Sequence, residues 1–199
     1  MRATSPVLHW RMAVTSRPPV PATYRDIEAL PDNVVGELIA GILYTHARPA
    51  LFHAAAAGAL GDELGPPFKR GRGGPGGWVI LPEPELHLVE DVLVPDLAGW
   101  RRERMPVIPA AAYVTLAPDW LAEVLSPSTA AIDRALKLPI YARERVGHVW
   151  FVDPLAKLLE VFRLDGEGYR LVTTFLGDVR VRAEPFDAIE LDLASLWAR

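Results

Sequence analysis

The chain contains no cysteine, which excludes disulfides, thiolate zinc sites and a cysteine nucleophile together. It also lacks any apolar run long enough for a signal-peptide core or a membrane span, so a cytoplasmic setting without a membrane is expected. Positive charge is in the minority: 21 Lys and Arg stand against 25 Asp and Glu, a formal net charge of -4. Phosphate binding draws on concentrated positive surface to release counterions, so a nucleic-acid partner would have to be met locally. The glycine-rich run from Lys69 to Trp78 lacks the Gly-Lys-Ser/Thr ending of a phosphate-binding loop, which excludes that form of nucleotide site. No internal repeat, helix-turn-helix or zinc finger is visible.

What is present suffices for one core. The chain has 199 residues, 50% of them apolar, which suits one domain with appendages. Residues 1–20, rich in proline, are expected to be a disordered leader in which Met1 or Met12 is the start, and residues 21–199 a single domain. Thr23 to Leu30 reads as a short capped helix and Val34 to Thr45 as a hairpin turning near Ala40-Gly41. The alanine-rich stretch Leu51 to Leu64 predicts the first core helix, stopped by Gly65-Pro66-Pro67, and Lys69 to Trp78 predicts a flexible loop. Three adjacent strands are expected at Glu85 to Val89, Val92 to Trp100 and Trp120 to Leu125. Ser126-Pro127-Ser128-Thr129 then offers N-caps to a helix reaching about Arg143, interrupted at Pro139, and His148 to Val152 returns as a strand. Leu158 to Leu164 and Tyr169 to Thr174 flank Asp165-Gly166-Glu167-Gly168, a hairpin signal. The class is α/β (α+β), with a mixed central sheet in helix-strand-strand-strand-helix-strand order, an N-terminal hairpin and C-terminal strand additions.

Two acids break the apolar pattern. Asp96, in Val94-Pro95-Asp96, and Glu123, between Leu121-Ala122 and Val124-Leu125, both fall inside strand-like apolar runs. An unpaired buried carboxylate there costs several kcal/mol, roughly. Neighbouring strands lie about 4.8 Å apart, so two such acids at matching heights can share an oxygen-ligated divalent ion, Mg2+ or Mn2+. On the following helix Asp133, Lys137 and Tyr141 are spaced by four and line one face, while Ile132, Leu136 and Ile140 line its apolar neighbour. A solvated surface pair is the competing reading of Asp133 and Lys137. Two basic clusters, Lys69-Arg70-Arg72 and Arg101-Arg102-Arg104, offer phosphate contacts or plain surface.

Gly36 to Tyr44, His53, Val94 to Asp96, Ala122 to Thr129, Asp133, Lys137, Tyr141 and Val149 to Pro154 together resemble the Uma-type family of bacterial restriction endonucleases within the PD-(D/E)xK superfamily. The resemblance runs from about Tyr24 to Trp197. It implies a restriction endonuclease-like fold and a metal-dependent endonuclease hydrolysing DNA, with Asp96 and Glu123 as metal ligands. Glu123-Val124 is followed by Leu125 where the simplest superfamily pattern has lysine, and the resemblance assigns that role to Lys137. It also places Glu37 and Glu85 near the pocket, with His53, Asp133 and Tyr141 as further candidates. Lys69, Arg70, Arg72, Arg101 and Arg102 would touch the DNA backbone, and a homodimer would supply two sites for two strands. Two alternatives stay open: a non-enzymatic structural or protein-binding module that keeps the fold, and a hydrolase of a smaller phosphoester.

Overall fold

In the computed structural model of the chain, which describes residues 20–47 and 50–197, helix α1 (Tyr24–Glu28) begins where the Thr23 amide and hydroxyl both donate to Asp26. The leader expected over residues 1–20 lies, apart from Val20, outside the described residues. Strands β1 (Val34–Ile39) and β2 (Ile42–Ala47) form the expected hairpin, in register from Val34↔Ala47 to Ile39↔Ile42. Its two-residue turn places Ala40 and Gly41 at φ 51° and 74°, the paired positive dihedrals that match strand twist. Helix α2 (Leu51–Leu64) buries Ala56, Leu60 and Leu64 and passes into a wide π-type turn, Gly65–Lys69.

The glycine loop after Lys69 is tied down rather than free. The Arg72 and Gly76 amides donate to the Pro66 and Pro67 carbonyls at 2.7 and 2.8 Å. It delivers the chain into β3 (Trp78–Pro82), an apolar strand that the glycine-dominated reading passed over. Short strands β4 (Leu86–Leu88) and β5 (Asp91–Leu93) follow, then β6 (Leu97–Arg101) and β7 (Trp120–Val124).

Two sheets share this stretch. The smaller has the order β2-β1-β5-β4. With β8 (His148–Asp153), β9 (Leu158–Asp165) and β10 (Gly168–Leu176), the larger has the order β10-β9-β8-β7-β6-β3. The expected core order survives as α2-β3-β6-β7-helix-β8, but its first strand is Trp78–Pro82 instead of Glu85 to Val89. The expected strand Val92 to Trp100 is two strands. Pro95 has no amide to give a ladder, and the Val94 amide is spent on the Glu37 carboxylate at 2.8 Å, so pairing stops there and resumes in the other sheet.

Strands β7 and β8 are parallel while the other pairs of the large sheet are antiparallel, which makes it mixed. A parallel pair needs a long crossover. That crossover is helical: α3 (Ala130–Ile132), a π-turn at Asp133–Lys137 and α4 (Leu138–Arg143). The interruption expected at Pro139 is this widened turn, in which the Leu138 amide reaches back to the Asp133 carbonyl. The C-terminal hairpin extends the sheet, with β10 at its edge, and β11 (Arg180–Val181), β12 (Leu191–Asp192) and a 3-10 turn at Leu193–Trp197 close the base.

Alternation along β7 separates two cores. Trp120, Ala122 and Val124 point toward α2, joining Trp78, Trp150 and Phe186, while Leu121 points toward the crossover with Trp100, Tyr141 and Phe151. Glu123 falls on the crossover side by the same alternation.

Candidate active site

The antiparallel register of β6 on β7 pairs Leu97 with Ala122 and Ala98 with Leu121. Asp96, the residue before β6, therefore lies at the same end of the pair as Glu123, and both acids line one cleft. Asp96 sits just before β6 rather than in the middle of a strand, and its Oδ2 accepts the Val124 amide at 2.7 Å. The carboxylate thus takes the ladder bond that a continued β6 backbone would have made.

The crossover supplies the rest. Asp133, Lys137 and Tyr141 are all buried, so the polar stripe faces the sheet and not solvent. Lys137 Nζ lies 2.9 Å from Glu37 Oε1, 3.1 Å from Asp133 Oδ1 and 3.4 Å from Glu123 Oε1. The Tyr141 hydroxyl donates to the same Glu123 oxygen at 2.6 Å. Glu37 arrives from β1 of the smaller sheet, with Oε2 3.7 Å from His46 Nε2.

Asp96, Glu123, Asp133 and Lys137 line the floor of a cleft of about 530 Å³, with Phe52 and His53 at its wall, while Glu37 and Tyr141 stand behind Lys137 and Glu123. The floor carries an excess of carboxylate. Burial raises the Glu123 carboxyl well above its ordinary range; Lys137 opposes this, while Asp133, Asp96 and Glu37 add to it. Burial likewise pushes Asp96 up to about 6, against the pull of His53 and the Val124 amide. Burial would raise Glu37 too, but contacts from His46 and Lys137 outweigh it and hold its pKa below the ordinary value. Burial disfavours the Lys137 cation, yet Glu123, Glu37 and Asp133 together raise its pKa, so it stays charged. Tyr141 is raised by burial and by Glu123 and remains a neutral donor.

The other candidates divide. His53, from the first turn of α2, is brought in, with Nε2 3.5 Å from Asp96 Oδ1. Glu85 is not: it accepts from Tyr24 at 2.8 Å and pairs with His87 at 2.7 Å beside Tyr113. It precedes β4, whose pairing with β5 in the smaller sheet carries it away from the cleft. Lys69 and Arg70 line an adjoining cleft of about 390 Å³ that shares His53, Glu83 and Asp96 with the first. Arg72 lies in the tied loop beyond them. Arg101 stacks over the Trp78 ring at 4.1 Å, and Arg102 donates to the Trp78 carbonyl. Both stand at the end of the β3–β6 pair opposite Asp96, because Trp78 pairs with Arg101 whereas Pro82 pairs with Leu97. The run Ser126-Pro127-Ser128-Thr129, expected to cap a helix and part of the segment that carries the resemblance, lines the cleft through hydroxyls bonded to one another. Its density of hydroxyls next to Glu123 was the available signal.

Among the described residues, no group of three or more His, Asp and Glu side chains is placed to hold a metal ion by itself. Mg2+, however, keeps several waters and is held by one or two carboxylates together with substrate oxygens. Glu37, Asp96, Glu123 and Asp133 all interact with the one Lys137 ammonium, so four carboxyl groups share a single lysine cation. Oxygen donors in such excess along one cleft fit a divalent cation.

A family model described as Uma2, putative restriction endonuclease, matches residues 21–194 of the chain. Among solved structures, a putative nuclease belonging to DUF820 from Anabaena variabilis is similar, with 20% identity, a TM-score of 0.68, and coverage of 89% of this chain and 98% of that one. At that identity the likeness is one of fold. No curated protein matches the chain. No helix among the described residues is long and apolar enough to cross a membrane.

Proposed function

The chain belongs to the Uma2 family of putative restriction endonucleases, and from that premise we propose that it is a metal-dependent endonuclease that hydrolyses DNA phosphodiester bonds in the cleft over Asp96 and Glu123. The observation that carries this reading is the meeting, in one cleft, of two carboxylates from the paired ends of β6 and β7 with an ammonium from the crossover.

Asp96 and Glu123 are the residues that would hold Mg2+ or Mn2+, which when bound supplies polarisation of the phosphodiester and a more acidic water. Val124 fixes one Asp96 oxygen through its amide, and Tyr141 fixes one Glu123 oxygen through its hydroxyl. Lys137, held in line by Glu37 and Asp133, presents its ammonium beside Glu123, where it donates to a phosphate oxygen and offsets growing negative charge. The low-dielectric floor strengthens each of these contacts.

Purified chain, incubated with plasmid and oligonucleotide DNA and Mg2+ or Mn2+, should cut, and chelator should stop it. Asp96→Asn, Glu123→Gln and Lys137→Met should each abolish cutting while keeping the fold. Cutting unaffected by chelator or by these variants would sink the reading. Mn2+ should also raise the melting temperature of the wild type by mass action, and not that of Asp96→Asn.

One observation favours the non-enzymatic alternative: Lys137 already sits within 3.4 Å of three carboxylates, so an ammonium partly occupies the ground a cation would take. Titration calorimetry with Mn2+ separates the two, since that alternative gives no heat of binding. A cytoplasmic homodimer completes the proposal. Edge strand β10 exposes Leu171 and Leu176, a surface two copies can pair across, and light scattering should give twice the chain mass.

A further inference from the structure

The wall of the cleft is built differently from its floor. At the wall stands the first turn of α2, where Ala50, the N-cap residue, has no side chain able to accept from the amides that follow, and no acid occupies the turn. The helix is 14 residues long, and since the His53 amide donates to the Ala50 carbonyl at 3.0 Å, the Leu51 and Phe52 amides are the ones left open among the described residues, at the positive end of the helix dipole. A second observation points to a ligand at the same turn. His53 is 7% exposed, and its Nδ1 is buried with no hydrogen-bond partner among the described residues. Its Nε2 is turned to Asp96, so the ring, which lines the cleft, keeps one buried nitrogen unpaired. Beside it Phe52, 38% exposed, presents an aromatic ring to the cleft.

Duplex DNA carries one charge per ~1.7 Å of axis and is met by basic surface. This cleft is lined by Glu83, Asp96, Glu123 and Asp133, with Lys137 held among carboxylates. An aromatic ring beside free helix amides suits one unpaired nucleotide, its base stacked and its phosphate at the helix end.

We propose that the first turn of α2, with the Phe52 ring, the open helix amides and His53, is a subsite for an unpaired nucleotide next to the scissile phosphate, which makes the substrate single-stranded or locally unpaired DNA. This rests on the nuclease reading above and names its substrate class. The adjoining cleft along Gly58 and Gly61 leads from Asp96 to Lys69 and Arg70, giving the strand a path with cations at its far end.

The test is fluorescence anisotropy of the full chain, in chelator so that no strand is cut, with a labelled oligodeoxynucleotide alone and annealed into a blunt duplex. The single strand should bind at least about tenfold more tightly. Phe52→Leu, which keeps the apolar bulk but not the ring, should weaken single-strand binding about tenfold and leave duplex binding unchanged, while Phe52→Trp retains it. Titration with inorganic phosphate should shift the amide resonances of Leu51 and Phe52. Equal binding of strand and duplex, wild-type single-strand affinity in Phe52→Leu, or unmoved amides would each overturn the subsite. Its failure and that of the nuclease reading are distinguishable. Strand preference without cleavage under any divalent ion removes hydrolysis and leaves the subsite, whereas cleavage of intact duplex indifferent to Phe52→Leu does the reverse.

Discussion

The two faces of the large sheet bury opposite chemistries at similar depth. On the α2 face Trp78, Trp120, Trp150 and Phe186 meet edge to face or tilted, with centroids 4.8 to 5.6 Å apart. On the crossover face Glu123, Asp133, Lys137 and Tyr141 are as inaccessible as those rings. A single strand, β7, feeds both by alternation. The aromatic face draws its stability from area removed from water, which is indifferent to pH and ions. The polar face is held by the mutual compensation of groups that would each be costly alone, and its balance is left incomplete.

Breaking each face once should cost about the same for different reasons. Trp150→Ala removes a wholly buried indole and should lower unfolding stability by about 3–5 kcal/mol at every pH. Lys137→Met leaves Glu37, Glu123 and Asp133 without their cation and should also cost about 3–5 kcal/mol. Only the second loss should shrink at acid pH and be partly restored by adding Glu37→Gln. Urea unfolding of these variants at two pH values tells the faces apart, and equal pH response would erase the distinction.

A smaller effect belongs to the polar face alone. Burial pushes Asp96 up to about 6 in the folded chain, from an ordinary carboxyl value of 3.8, and Glu123 is also raised. Both bind protons more tightly folded than unfolded. The stability they carry is therefore complete below about pH 4 and is lost as pH rises through about 6, for Asp96 roughly 3 kcal/mol. Glu37, lowered on folding, works in the opposite sense. Stability measured from about pH 4 to pH 7 should fall; Asp96→Asn should flatten the slope, and so should saturating Mn2+.

Smaller still is a change of packing on the aromatic face. A Cβ at Gly99 would meet Trp120 and Trp78 ring carbons at 3.1 and 3.2 Å, so Gly99→Ala should cost about 1–2 kcal/mol by crowding two large, wedged rings. The smallest expected change is Tyr141→Phe, which removes the 2.6 Å hydrogen bond to Glu123 and should cost about 1 kcal/mol. Because Lys137 remains beside Glu123, cleavage should slow without vanishing, as single-turnover kinetics on DNA would show.

Much of this contrast was readable along the chain, element by element. The spacing of Asp133, Lys137 and Tyr141 put them on one face, and the acids at 96 and 123 stood out because they interrupted apolar runs. Glu37 and Glu85 looked alike in sequence, each an acid in a short strand-like run, but only Glu37 reaches the site, where it pairs with Lys137. The difference is made by β5, which pairs with β1 at Leu38↔Val92 and so brings Glu37 to the Val94 amide, while β4 takes the outer edge and Glu85 with it. Likewise Arg101 and Arg102 follow Asp96 by only a few residues, yet an extended strand carries them to the far end of the sheet at about 3.3 Å per residue.

By itself the sequence determined the local geometry of this protein: where α2 and the hairpins lie, where Pro139 disturbs the crossover, and which side chains share a face. These follow from dihedral preferences and periodicity over a few residues. Only the tertiary structure decided that Trp78–Pro82 takes the sheet position expected of Glu85 to Val89, that Val94-Pro95-Asp96 passes between two sheets, and that the polar stripe of the crossover turns inward. Each of these is a choice of partner across long separations, in which the cost of burying Lys137 is offset by three carboxylates from β1, β7 and the π-turn itself, and no local preference contains that sum.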